Sequence, residues 1–553
     1  MASLAPITGT LGLKRAAHLL RRATFGFTKS EMDDFAGKTI SQAVDDLMQF
    51  PAIPTAPVDG ATGTTWNANG SIVASKGKIT SWWLHQILDP DRNSTAFFKL
   101  TFLLHTCLTI SLKEMIDNTS WYYHLRLLMT YAGGSYKTLV TKMTLDPAMG
   151  KFLDTGINVV GHANENYGRE LLELFTVGKG PQVGPGNYTN YTEDDIREAA
   201  KVLTGFKTNN EWDNTTHYDP DTNFPRLKIK TSLHDSTDKQ FSSIFGNRTI
   251  TGTSTESGML DELDQLVDMI FDQESLDMFI MKKVYRYYVS YIITPEIEND
   301  IIVPMAQTFR ANNFEFRPVL TQLFNSAHFY DEDDSTVGDE IIGGMIKSPL
   351  ELYLQTLKYF QAFVPDPNVD LLGLQEWLYN QVETHLTVMG MEIFSPPSVA
   401  GYEPMYQEPD YNRYWINASS LPQRYHYVYS RILNEENMSP VPYGNFNMLD
   451  FVEDPANIPP FNGGDSQGTP GPHEGPRIAE HLVRTLLEYL LPVMPDASRV
   501  EYFLNEALLD NMSFMTWEGE WDDYRASGND SMVRPQLNRL FKAIIQSPEY
   551  QLG

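Results

Sequence analysis

The sequence predicts a mainly α protein: a large multi-helix globular fold with long ordered loops rich in proline, glycine and aromatics, and at most a minor β-hairpin. Three observations carry this. Apolar residues recur at helical spacing through most of the 553 residues. Helix-opening signals stand before such stretches, Thr28 with Glu31 and Thr192 with the acidic residues 193–195. No internal repeat or sustained heptad breaks the pattern. A hydrophobic content of 42% supports a packed core rather than disorder.

In chain order, residues 1–50 form N-terminal helices: a short amphipathic one at 16–22, and a second opened by Thr28 and running through Leu47. Residues 51–78, rich in Pro, Gly, Thr, Ala and Asn, form a surface loop. Residues 79–453 make the helical core. Apolar runs at 79–88 and 96–112 predict buried helices, and 120–131 and 135–145 continue the pattern across the Gly133-Gly134 turn. A polar-faced helix occupies 161–178, a loop follows at 179–190, and Thr192 caps a helix ending near Gly205. The polar, β-tolerant stretch 207–257 predicts an irregular excursion with one hairpin at most. Helical periodicity returns at 260–290, 301–329 and 348–363. Residues 394–419, dense in Pro, Tyr and Trp, read as ordered but non-helical, and 421–433 as a helix. A Pro/Gly loop at 454–477 leads to C-terminal helices in 478–553, at 480–491, 498–509 and 535–547, packed on the same core.

Charge and cysteine usage exclude several classes. The 71 acidic residues against 42 basic give a formal charge of −29, a field that repels nucleic acid and anionic membranes. Cys107 stands alone, so no intramolecular disulfide and no multi-cysteine zinc site exists, and its apolar context disfavours a thiolate nucleophile. There is no Gly-x-Ser-x-Gly and no glycine-rich phosphate loop after a strand, which argues against a serine hydrolase elbow and nucleotide binding. No stretch approaches the length of a transmembrane helix. The first ten residues lack a signal-peptide pattern, so the chain as given reads as soluble, and as cytoplasmic if its start is native.

The densest chemistry lies in 161–178. Glu165, Arg169, Glu170 and Glu173 share one arc of a helix with Asn166 and are the candidate catalytic set, with Asn166 as a substrate contact. Two readings compete. The arc is a solvated stripe, with Glu165 and Arg169 as an i,i+4 pair. Or it faces inward, and its charges then need partners. A divalent metal is one candidate partner, with His162, His234, Asp235 and His105 as ligands, since mixed imidazole and carboxylate ligation suits Zn, Mn or Fe. The spacing gives no His-Glu-x-x-His. A metal-free acid–base pair is the alternative: Glu165 and Glu170 part in pKa if Arg169 stabilises one carboxylate and burial raises the other, as glycoside cleavage requires. Tyr402 and Trp415 in the aromatic segment are candidate substrate-stacking residues, or else pack a lid onto the core.

Several stretches resemble the bacterial family catalogued as domain of unknown function 1800. They are Ala16-Ala-His-Leu-Leu-Arg-Arg-Ala-Thr-Phe-Gly26, Asp146-Pro-Ala-Met149, Asn164-Glu-Asn-Tyr-Gly-Arg-Glu-Leu-Leu-Glu-Leu-Phe175, and Tyr191-Thr-Glu-Asp-Asp-Ile-Arg-Glu-Ala-Ala200 through Leu203-Thr-Gly205. His234-Asp235, Lys347-Ser-Pro-Leu-Glu351, Pro396-Pro-Ser-Val-Ala-Gly401 and Trp415-Ile-Asn417 complete the set. The start and the ending Ser547-Pro-Glu-Tyr-Gln-Leu552 look most like members from marine Bacteroidetes. The resemblance implies mainly helical structure and no established activity. Members are commonly encoded beside an exported protein that resembles phosphatases and sulfatases, which implies such a partner and a periplasmic or extracellular setting. Where the family often shows Trp-His-Asn-His, this chain has Leu104-His105-Thr106-Cys107, so one imidazole of that pair is missing.

Two function classes follow. One is a hydrolase-type or metal-assisted enzyme acting on extracellular polymer or peptide, centred on His162–Glu173. The other is a non-catalytic scaffold or export partner of the phosphatase-like neighbour. The enzyme reading expects an inward-facing arc, residues 395–417 packed over the same region, and Arg169 holding Glu165 or Glu173.

Overall fold

Helix formation at the N-terminus follows the amphipathic pattern, but with its cations turned inward. The Gly12–Ala23 helix buries Ala16, Leu19 and Leu20 together with Arg21 and Arg22. The Lys29–Gly37 helix opens on the predicted capping box: the Thr28 N–H donates to Glu31 Oε2 at 2.7 Å, and the Glu31 N–H donates to Thr28 Oγ1 at 3.1 Å. It stops at Gly37, and a second box on Thr39 and Gln42 starts Ile40–Leu47. The sequence reading merged these two because both bury one continuous apolar face.

A computed structural model of the chain describes residues 2–65, 76–89, 95–115, 117–208, 217–333, 341–427 and 446–553. Residues 66–75 of the expected surface loop, 209–216 of the expected excursion and 428–433 of the expected 421–433 helix lie outside the described residues. The architecture is mainly α, with short antiparallel strand pairs. Buried apolar side chains form one contiguous cluster from Leu11 to Tyr550. Its centre is aromatic: Trp83, Phe102, Trp121 and Phe394 pack with ring centroids 5.0–6.1 Å apart. Among the described residues, no helix is long and apolar enough to cross a membrane.

Several elements depart from expectation. The 260–290 periodicity divides into Glu256–Phe271 and Glu274–Tyr288, with Gln273 extended between them. The 301–329 stretch breaks between Val303–Ala311 and Phe316–Phe324, where Asn313 and Phe314 take left-handed φ of 54° and 59°. Pro367–Trp377 and Phe514–Ser527 are helices the sequence reading passed over. In the second, polar residues surround the helix, and Trp517 and Trp521 alone among its apolar side chains are buried. The 207–257 excursion holds two-residue ladders, Lys228–Ile229 with Phe206–Lys207, His217–Tyr218 with Pro225–Arg226, and Lys239–Gln240 with Thr249–Ile250. Ladders this short show no alternation in sequence. The aromatic segment is partly helical, in the turns Glu403–Tyr406 and Tyr411–Trp415.

The chain end is tied to the middle. The Lys347 N–H donates to Gln551 O at 2.9 Å, and the Gly553 N–H donates to Met345 O at 2.9 Å. This fixes residues 345–348 just before Ser348, which caps the Pro349–Tyr359 helix with Glu351.

Candidate functional site

Residues 161–178 form less α-helix than predicted. Gly161 takes a left-handed φ of 79°, the helix proper is Asn166–Glu170, and it widens into a π turn at Leu171–Phe175. A π turn displaces carbonyls from the ordinary ladder, and such turns recur at functional sites. Here three side chains take those carbonyls. The Thr176 hydroxyl donates to Leu171 O, Lys283 Nζ to Leu174 O at 2.8 Å, and Tyr136 Oη to Phe175 O at 2.8 Å. Gly168 faces the Glu193–Val202 helix, where a Cβ would meet Ile196 O and Ala200 N at 3.4 Å, an ordinary packing distance.

The polar arc is neither sealed nor open. Arg169 forks onto Glu193, Nη1 to Oε1 at 2.8 Å and Nη2 to Oε2 at 2.9 Å, and also reaches Glu165 Oε2 at 3.1 Å. Its side chain is 34% exposed. The hydrogen bonds to Glu193 hold the guanidinium above its usual range and hold Glu193 below the ordinary carboxylate range. On the other side, Tyr191 Oη donates to Glu173 Oε2 at 2.9 Å, and Lys179 pairs with the same carboxylate. Arg169 thus holds Glu165, as expected, but its main partner is Glu193, 24 residues away, and Glu173 belongs to Lys179 and Tyr191. Glu170 lies between the two sets with no hydrogen bond to its carboxyl among the described residues. Burial, aided by the charge of Glu173, pushes it up to about 7 against the pull of Arg169 and Lys179.

The expected metal set is not gathered. Among the described residues, no three His, Cys, Asp or Glu side chains are placed to hold a metal ion. His162 is exposed on the Gly161 turn. His105 is enclosed by rings, 5.1 Å from Phe394 and 6.3 Å from His124 between centroids, and burial pushes its pKa well down. His234 is held by Thr204 O at 2.9 Å and Glu262 Oε1 at 3.1 Å, and Glu262 is also paired with Lys239. Asp235 accepts from the N–H and hydroxyl of Thr237. These side chains are spent on separate local structures. Asn166 is exposed, and its own N–H donates to Asn164 Oδ1 at 2.9 Å. Tyr402 is buried in the core with its hydroxyl donating to Glu392 O at 2.7 Å, so it does not present a stacking face to solvent. Trp415 does line a pocket.

That pocket was missed in sequence. It is a recess open to solvent between the Phe97–Cys107 and Glu274–Tyr288 helices and the aromatic segment. Lys283, Arg286, Asn412 and Trp415 line it. Two cations three residues apart in an aromatic helix were the available signal. The aromatic segment packs on the Glu274–Tyr288 helix, whose Lys283 lines the pocket and also reaches Leu174 O. In the pocket wall, Glu351 pairs with the buried Lys99 at 2.6 Å. Burial works to raise Glu351, yet Lys99 and Arg22 hold it below the ordinary range. Arg22 donates to Tyr288 O and Val289 O, Lys347 to Tyr550 O, and Arg424 to Gln551 Oε1. The wall behind the pocket is thus a buried, cation-rich shell in an acidic protein.

With this geometry in view, the chain belongs to the family described as "Protein of unknown function (DUF1800)", whose model matches residues 18–552. No curated protein and no solved structure matches it.

Proposed function

We propose that the chain is a hydrolase-type enzyme acting on extracellular polymer or peptide, with Glu170 and Glu173 as its acid–base pair. One observation supports this above others: two neighbouring carboxyls sit in opposed environments, Glu170 bare and raised to about 7, Glu173 held by Lys179 and Tyr191. Environments that separate two carboxyls assign an acid and a base. In this reading the Glu170 carboxyl gives its proton to the leaving group, and the Glu173 carboxylate orients and deprotonates water. The Arg169 fork fixes the helix that carries both. The family resemblance supports an exported setting.

The test is hydrolysis of a panel of polysaccharides and peptides by the full chain. Glu170→Gln should lower kcat/KM by about 10²–10⁴ with the fold intact, and the wild-type profile should fall on the alkaline side of about 7. Hydrolysis that survives both Glu170→Gln and Glu173→Gln would defeat the proposal. A second reading, a scaffold for a phosphatase- or sulfatase-like protein, draws on Ile157, Val160 and Val183, apolar side chains left exposed in the segments flanking the arc. Capture of such a partner by a chain lacking any hydrolysis would favour it.

A further inference from the structure

We propose that the pocket between Lys283, Arg286, Asn412 and Trp415 binds a small hydroxylated organic carboxylate, a ligand of the sugar-acid class. This stands on a different site from the acid–base reading and does not depend on it.

The first observation is Asn412. It is 4% exposed, lines the pocket, and neither its amide oxygen nor its amide nitrogen has a hydrogen-bond partner among the described residues. An amide buried with both groups unmet is costly unless something in the pocket meets them. Side by side it offers one acceptor and a donor, the complement of hydroxyl groups.

The second observation is charge. Lys283 spends one donor on Leu174 O, and no carboxylate among the described residues is paired with it. The Arg286 Nε–H is buried with no partner among the described residues, and its guanidinium lies 4.6 Å over the Tyr411 ring. The acids at hand are committed elsewhere. Glu351 is held by Lys99, and Glu408 accepts from Tyr411 Oη at 2.8 Å. The pocket therefore presents two cations that the carboxylate in its lining, Glu351, does not neutralise, because Lys99 already pairs with it. A carboxylate supplies that charge, and a guanidinium fork suits its geometry.

The third is shape. Trp415, Tyr406, Phe102 and Leu103 add aromatic and apolar side chains to the pocket lining. These suit the C–H face of a small ring rather than a bare inorganic anion.

Calorimetric titration of the full chain at physiological salt decides it, with D-glucuronate, D-glucose, benzoate and inorganic phosphate as probes. D-Glucuronate should bind one to one, and each of the other three at least about tenfold more weakly. Arg286→Gln should bring D-glucuronate down to the D-glucose level. Asn412→Leu, which replaces an unmet amide with a similar apolar volume, should keep the unliganded melting temperature while weakening both sugars and sparing benzoate. The wild-type series stands even if a variant fails to fold. No binding of D-glucuronate at about ten millimolar, equal binding of D-glucuronate and D-glucose, or phosphate binding as tightly as D-glucuronate would each overturn the proposal.

Discussion

Arg169 and Lys99 each neutralise glutamate, but in different media. The Lys99 side chain is 1% exposed and its pair with Glu351 sits among other buried cations. Arg169 lies in a half-wet groove with Glu193 and Glu165. The dry set cannot exchange partners without exposing bare charge, so it holds elements together and sets a fixed positive field. The half-wet set keeps its charges where a substrate or water can reach them, and it leaves one carboxyl, Glu170, perturbed but accessible. Ion pairs of similar length thus serve structure in one place and can serve chemistry in the other.

The largest expected effect breaks the dry set. Glu351→Ala leaves Lys99 buried without its carboxylate and strips the Ser348 cap of its partner. The loss should be roughly 3–5 kcal/mol, read as a shift in denaturant midpoint at unchanged slope. If the shift came to less than about 1 kcal/mol, the two regions would be energetically alike and the contrast would fall.

The next effect is pH-dependent and belongs to Glu170. Its folded pKa of about 7 lies above the ordinary 4.5. A proton is therefore held more tightly in the folded state. The stabilisation is complete below the unfolded value and is lost as pH rises through about 7. Glu170→Gln should remove that loss. The variant should gain about 1–2 kcal/mol on the wild type between pH 5 and pH 8, less than the full shift implies because the group is partly wet. Paired denaturation curves at the two pH values check the sign. A gain at pH 5 rather than pH 8 would show that the carboxyl is not raised.

How much of this was legible in sequence depends on the range of each interaction. The Thr28 box and the Thr192 cap were readable because such signals are local, a cap and its partner standing three residues apart, whereas the reciprocal bond from Asp195 that completes a box at Thr192 is seen only in the structure. The Glu165–Arg169 pair was readable for the same reason, at i,i+4. Glu193 was noted only for its place in the first turn of its helix. That it turns back to Arg169 depends on how the two helices pack, which is a tertiary fact. The burial of Arg21, Arg22, Lys99, Lys347 and Arg424 was invisible, because such residues are almost always at the surface and their partners here lie far along the chain, Glu351 for Lys99 and carbonyls for the others. The π turn was hidden as well, since one extra residue per turn shifts an apolar pattern too little to see over five residues. His105 and His234 carry ligand chemistry, but a side chain's chemistry says nothing about which neighbours already claim it.

The smallest effect tests the half-wet set directly. Arg169→Ala removes the fork from Glu193 and Glu165 together. Had the arc been sealed, the cost would match that of Glu351→Ala. With a third of the side chain in water, the freed carboxylates can be hydrated, so the loss should be about 1 kcal/mol. Salt separates the cases further. Raising ionic strength from about 0.15 to 1 M shortens the screening length from roughly 8 to 3 Å. It should shrink the Arg169→Ala loss and leave the Glu351→Ala loss nearly unchanged. The same variant carries a chemical readout. Arg169 pulls Glu170 down, so its removal should move the Glu170 titration upward, observable by carboxyl-carbon NMR. A salt-insensitive loss above about 3 kcal/mol, with Glu170 unmoved, would make the arc a sealed structural network and remove the accessible carboxyl on which the hydrolytic reading rests.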